Sequence, residues 1–424
     1  MIAIPSATML AQKDKVPSAS PILAAAYALL VVYGSLYPFS DWLPVPAEDM
    51  WAFLTAPWPR YIIRSDIIIN ILIYLPMGLL LARALRYRLH SGAAVIAATA
   101  LCLLLSLGME SLQSLLPDRV SSRLDLLLNG LGGLGGALLA RLTVNPPGPL
   151  RRLAALRREW FLPGRAMDLG LVAIGLWALS QLTPLLLSLD TNSLRRGLLP
   201  LWTPGFPSLF NWPQLSAYAC TITGLGLFGS ILARPEKNMA LPFIGFVSAV
   251  LLVKILVMGR YLALETAIGA AMGMVLMVVL RPSPKPFRFT AGGLALLAGF
   301  TLAELEPATS VIFKPLQPFN WIPFHGQMHN LSGFSEILSL FWPFLALGCL
   351  GAFATRPNRR RWMAFIGGLL VLALMFVLEW QQQTIPGRHA DITDILLALA
   401  GWSLPWWWRI HTPRGESHGQ PGRA

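Results

Sequence analysis

Two stretches of the chain hold the same polar residues at the same spacing. Glu110, Gln113, Pro117, Arg119 and Asp125 recur as Glu379, Gln382, Pro386, Arg388 and Asp394, at offsets 0, 3, 7, 9 and 15 without a gap. Glu110 and Gln113, three residues apart, share one face of a helix; Asp125 shares a face of the next helix with Asn129, four residues on. Pro117 centres the connection, so Arg119 can fold over two carboxylates. A charge inside a membrane span costs roughly 2.5–3.5 kcal/mol, and pairing it lowers that cost. Three readings follow: a structural clasp closing a hairpin, a site for an external ligand, or a catalytic acid pair. The catalytic reading lacks a nucleophile, a metal or a second tuned proton carrier. His325, His329 and His389 have no metal-ligand spacing, and Cys102, Cys220 and Cys349 sit singly in apolar runs. No cofactor and no metal are expected, and an enzyme is the less favoured class.

The elements that carry these residues must be membrane helices. Of the 424 residues, 55% are hydrophobic and 12% charged, and the mean hydropathy is +0.59. Soluble chains carry about 25% charged residues. Apolar runs of about 20 residues match the bilayer-crossing length, and a span in lipid must satisfy its own backbone hydrogen bonds, which makes each a helix. The expected fold is therefore all-α and polytopic, with about 12 spans in three four-helix sets over residues 18–143, 165–282 and 289–410. The spans are expected at 18–37, 66–86, 92–115, 122–142, 167–187, 212–233, 240–258, 261–281, 289–306, 334–354, 362–383 and 391–409. Pro76 and Pro343 fall inside the second span of the first and third sets. Gly132 and Gly136 form a small-residue packing face, echoed by Gly269 and Gly273. Trp406, Trp407 and Trp408 read as an interfacial aromatic anchor.

Charge placement sets the orientation. Arg60, Arg64, Arg119, Arg123, Arg195, Arg196, Arg260, Lys314 and Arg388 fall in one set of alternate loops and Lys254 in a span; the other 23 of the 33 basic residues fall in the opposite set. Positive residues concentrate on the cytoplasmic side. Both termini are then cytoplasmic, and only Asp14, Glu159, Asp168, Glu236 and Glu416 among the 20 acids lie inside. The net charge of +13 is a topology signal, and no nucleic-acid partner is expected. The lipid bilayer is the partner that composition implies.

The first set reads Asp66-x-x-x-Asn70-x-x-x-x-x-Pro76-x-Gly78, then Glu110-x-x-Gln113, Pro117-x-Arg119 and Asp125-x-x-x-Asn129-Gly130. This resembles the VanZ-like family of bacterial multi-pass membrane proteins, named for an accessory protein linked to teicoplanin resistance. The resemblance covers 18–143 well and 289–410 in part. The third set has Ala398 where the first has Asn129, and lacks counterparts of Asp66 and Asn70. The middle set keeps Arg260 and Glu265 near the places of Arg119 and Asp125, one residue closer. The resemblance implies an inner-membrane envelope protein and no defined reaction. The expected role is binding of an outer-leaflet or periplasmic ligand such as a lipid-linked envelope precursor or peptide. A secondary transporter and a membrane enzyme acting on lipid-linked substrates are the alternatives.

The orientation makes a direct prediction. Reporter fusions after residues 150, 284 and 358 should read as cytoplasmic, and fusions near 190 and 320 as external. A cytoplasmic signal at 320 would break the twelve-span alternation.

Overall fold

The computed structural model describes residues 20–37, 39, 42–44, 46, 49–58, 64–117, 119–143, 147–202, 210–306, 318–325, 327, 331–385 and 388–411; Pro386 and His329 lie outside these. Fourteen α-helices are present among the described residues, with no strand beyond isolated bridges. They are α1 Ser20–Leu36, α2 Arg64–Leu85, α3 Ser91–Gln113, α4 Arg123–Leu142, α5 Gly148–Trp160, α6 Arg165–Leu182, α7 Thr191–Leu198, α8 Trp212–Leu232, α9 Ala240–Ile255, α10 Leu264–Leu280, α11 Lys285–Glu304, α12 Leu331–Ala354, α13 Arg360–Gln382 and α14 Ile392–His411.

A helix stands at each of the twelve expected places, but twelve spans are more than length and composition support. Among the described residues six helices are long and apolar enough to cross a membrane: α2, α3, α8, α11, α12 and α13. The apolar stretches of α1, α6, α9 and α10 are shorter than 18 residues, and α4 and α14 fall in neither group. Two helices were not expected. α5 buries none of its residues and carries Arg151, Arg152, Arg157 and Arg158 beside exposed Leu153 and Leu156. α7 is started by Asp190, whose side chain accepts from the Ser193 N–H at 3.2 Å. A search for apolar runs of bilayer length passes over both.

The chain divides into two compact units, 1–152 and 153–424. In the first, α2 and α4 approach through backbone. A Cβ on Gly136 would meet the Leu75 carbonyl oxygen, and one on Gly78 the Gly133 carbonyl oxygen. Between helices in lipid, small residues permit the close packing that holds them together. In the second unit Gly273 lies against α8 in the same way, its Cβ position 2.7 Å from the Ala219 carbonyl oxygen. Trp177, Leu225, Phe228, Met277, Leu296 and Leu345 form one core that runs from α6 to α12, so the sets expected at 165–282 and 289–410 share an interior. In α8 the share of the apolar window that is buried is 78%, against 22% in α13, so α8 is wrapped by protein. α13 instead turns Phe365, Leu370, Phe376 and Trp380 outward, where lipid would cover them. Trp406 departs from the interfacial-anchor expectation: it is 1% exposed and stacks near Trp402, whereas Trp407 is exposed. The helices α2 and α12 continue through Pro76 and Pro343.

Gly135 has open space at its Cβ position, which makes it a control for Gly136. Gly136→Val should destabilise the protein by about 1–3 kcal/mol through overpacking, read as a lower thermal unfolding midpoint in detergent, with Gly135→Val close to the parent. Equal midpoints would remove the α2–α4 approach as a source of stability.

Candidate functional site

Each repeated acid closes the connection that follows it. Glu110, in the last turn of α3, accepts at Oε2 from the Ser122 N–H at 2.8 Å. Ser122 caps α4, its Oγ accepting from the Leu124 N–H at 3.1 Å. Glu379, in the last turn of α13, accepts at Oε2 from the Asp391 N–H at 2.9 Å, also twelve residues on. Asp391 then accepts at Oδ1 from the Thr393 N–H at 2.8 Å and from the Thr393 hydroxyl at 2.6 Å. Glu110 is 4% exposed and Glu379 fully buried. A buried carboxylate with backbone donors keeps part of the solvation it has lost.

The repeated amide and guanidinium turn to a different element. Gln113 Nε2 donates to the Ser35 carbonyl at 2.9 Å, and Arg119 Nη2 to the Gly34 carbonyl at 3.3 Å, in the last turn of α1. Gln382 Nε2 donates to Glu304 Oε2 at 3.0 Å. Arg388 donates to the Glu306 carbonyl at 3.0 Å and to the Ala303 carbonyl, at the end of α11. The middle set does the same with a changed residue. Lys254, six residues before Arg260 as Gln113 is before Arg119, donates to Gln181 Oε1 at 3.1 Å and to the Tyr218 hydroxyl at 2.9 Å. Arg260 donates to the Thr183 carbonyl at 2.7 Å and the Ser180 carbonyl at 3.4 Å, at the end of α6. Contacts therefore fall on residues 34 and 35, 180 and 181, and 303 and 304. The last carbonyls of a helix lack partners and carry the negative end of its dipole, so a cation there satisfies both. Phe39 and Leu185, five residues past Gly34 and Ser180, both take left-handed backbone, φ 62° and 61°.

This corrects the clasp expected between acids and arginine. Among the described residues Arg119 makes no ion pair with Glu110 or Asp125, and Arg388 none with Glu379 or Asp394; ion pairs form instead at Arg157–Asp168 (2.6 Å), Lys237–Glu159 and Arg388–Glu304 (3.4 Å). The physical reason is that Glu110 and Glu379 are already engaged with backbone N–H groups, while helix-end carbonyls offer the arginines acceptors of their own. Asp125 accepts at Oδ1 from Asn70 Nδ2 at 2.7 Å, which ties α4 to α2, and Asn129 donates to Ser106 Oγ at 2.9 Å, which ties α4 to α3. Asp66 is exposed in the first turn of α2. In the middle set Glu265 accepts from the Asn211 N–H at 3.2 Å, at the start of α8.

The second unit also holds a cavity of about 560 Å³. Its charged lining comprises Arg260, Glu304, Glu336, Arg388 and Asp394, with Ser335 beside them. It lies where α6 and α11 end and α12 and α14 begin. Arg388 and Glu304 pair with each other. Asp394 is 4% exposed, and among the described residues its Oδ1 has no hydrogen-bond partner; nor has Glu379 Oε1. Glu304 and Glu336 escaped the sequence reading because neither belongs to the repeated pattern. Their signal was an acid at the edge of an apolar run, which by itself marks a functional position in a membrane segment. The wall supplies charge and hydroxyls, and no histidine or cysteine lines it. Among the described residues no group of three or more side chains is arranged to hold a metal ion.

The two locks differ in extent. Arg388→Ala removes contacts to two carbonyls and one carboxylate, Arg119→Ala contacts to one carbonyl. Losing hydrogen bonds from a charged group costs about 1.5–3 kcal/mol each at most, so Arg388→Ala should lower the unfolding midpoint further than Arg119→Ala. The reverse order, measured on purified protein in one detergent, would overturn the helix-end assignment.

Comparison with known proteins agrees with the N-terminal geometry. Residues 16–144 match the family described as VanZ/LLP1. No curated protein and no solved structure matches the chain. The matched segment spans α1 to α4 with Glu110, Gln113, Arg119, Asp125 and Asn129 in place, so this part of the membrane protein is a VanZ-like unit.

Proposed function

We propose that the protein sits in the bacterial inner membrane and binds an envelope ligand, a lipid-linked precursor or a peptide, in the charged cavity of its second unit. The observation that carries this is Asp394, buried with a free carboxylate oxygen on the wall of a cavity large enough for a small ligand. The charge pattern of the loops supports a non-cytoplasmic position for the helix ends around the cavity. We further read the chain as three copies of one four-helix unit. The equal spacing of the donor pairs and the common target, the end of the first helix of each set, support that reading. The first copy then keeps the family's pattern, and the second and third have diverged to make a cavity between their locks. A secondary transporter remains the alternative that Lys254 favours, as a buried cation held by two neutral partners. The cavity lies at one end of the helices, where binding from one side needs no passage.

Ser339 lines the cavity with its own side chain exposed and bonded only to its helix. Ser339→Trp should fill the cavity with membrane abundance unchanged. Lipid-linked precursor from a total envelope-lipid extract, incubated with purified protein and quantified by mass spectrometry, should be retained by the parent and lost from this variant. Equal retention by both, or by neither, overturns the proposal.

A further inference from the structure

We propose, building on the binding role above, that the cavity recognises a zwitterionic group, a primary ammonium and a phosphate or carboxylate on one short linker. The charges already matched inside the protein leave this complement. Glu304 is held by Arg388 and by Gln382, and Arg388 also spans the end of α11. That leaves Arg260, Glu336 and Asp394 among the charged lining residues.

Arg260 bonds only neutral acceptors, namely the Thr183 and Ser180 carbonyls and Ser335 Oγ, and pairs with no carboxylate among the described residues. Burial pulls its pKa below the usual guanidinium value. A half-buried cation in that position gains from an anion brought by a ligand. Its Nε and Nη2 are engaged, and among the described residues its Nη1 is not, which leaves one edge for a phosphate or carboxylate oxygen.

The acids of the lining have the opposite need. Among the described residues Asp394 Oδ1 is buried without a donor, and Glu336 has the neutral Gln327 amide as a hydrogen-bond partner and forms no ion pair. An ammonium carries three donors in a compact charge, enough to serve more than one carboxylate. A bare anion would satisfy Arg260 and be repelled by these acids; a bare amine would do the reverse. Only a ligand with both charges matches the arginine and the acids at once. Such a group occurs at the head of an ethanolamine lipid and in soluble amino compounds, so the source is a matter for the test.

The experiment uses the full chain in an uncharged detergent. Soluble probes are O-phosphoethanolamine, diglycine, ethanolamine and inorganic phosphate; lipid probes are phosphatidylethanolamine and phosphatidylglycerol. Affinity is read by calorimetry and by the shift in unfolding midpoint. O-Phosphoethanolamine or diglycine should bind about 10-fold or more tightly than ethanolamine or phosphate alone, and Asp394→Asn should weaken it about 10-fold. Glu336→Gln, at an exposed position, should weaken it as well and serves if the buried variant fails to fold. A lipid source is assigned if phosphatidylethanolamine exceeds the soluble probes and phosphatidylglycerol does not bind; a soluble source if the order is reversed. Phosphate binding as tightly as O-phosphoethanolamine overturns the proposal, as does unchanged affinity in both variants, the result expected if Asp394 is merely protonated. If every ammonium probe fails while Ser339→Trp still excludes the lipid-linked precursor, the zwitterion assignment falls and the binding role stands. If both fail, both fall.

Discussion

The structure depends on how helix ends are satisfied. A helix leaves its last four carbonyls without intrahelical partners, and where a span ends near a membrane surface these groups need donors from the protein or from water. In three places a guanidinium supplies them: Arg119 at the end of α1, Arg260 at the end of α6 and Arg388 at the end of α11. A second donor six residues earlier reinforces each contact: Gln113, Lys254 and Gln382. The acids that precede two of these arginines serve the opposite helix polarity, receiving N–H groups where α4 and α14 begin. One hairpin thus closes the start of its own second helix and the end of a helix distant in sequence.

The repeat could be read from the sequence because side-chain identity carries it. Glu, Gln and Arg at fixed offsets are visible in a string of letters. Their partners are not, because Gly34, Ser180 and Ala303 contribute backbone carbonyls, and a carbonyl has no signature in residue type. The sequence reading therefore paired the arginines with the nearest acids, the only partners it could see. The helices were legible for the same reason in reverse, since apolar length is a property of composition. α5 and α7 were not, being short, polar and outside any apolar run. Glu304 and Glu336 stood in plain view, but what makes them part of a site is that α11 and α12 bring them beside Arg260 and Asp394, a juxtaposition from separate parts of the chain.

The cavity follows from what the locks leave over. Arg388 is fully occupied by α11 and Glu304, whereas Arg260 is occupied only by neutral oxygens. Where the first set ties Asp125 to Asn70, the third offers Asp394 no donor at Oδ1. A fastening at Asp125 thus has as its counterpart at Asp394 a buried oxygen open to a positive charge. Small residues keep the helices near enough for these ends to meet, as at Gly136 against α2 and Gly273 against α8.

The locks also set an order of assembly. Arg119 reaches a carbonyl 85 residues earlier, Arg260 one 80 residues earlier and Arg388 one 85 residues earlier. Each first helix is thus made long before its fastening exists. At translation rates of about 5–20 residues per second, the wait is on the order of 10 s. During that interval the open carbonyls of α1, α6 and α11 can be satisfied only by water. A helix whose end lay deep in hydrocarbon would spend those seconds with bare acceptors. Late fastening therefore favours ends that surface early, where water can hold the carbonyls until each arginine arrives.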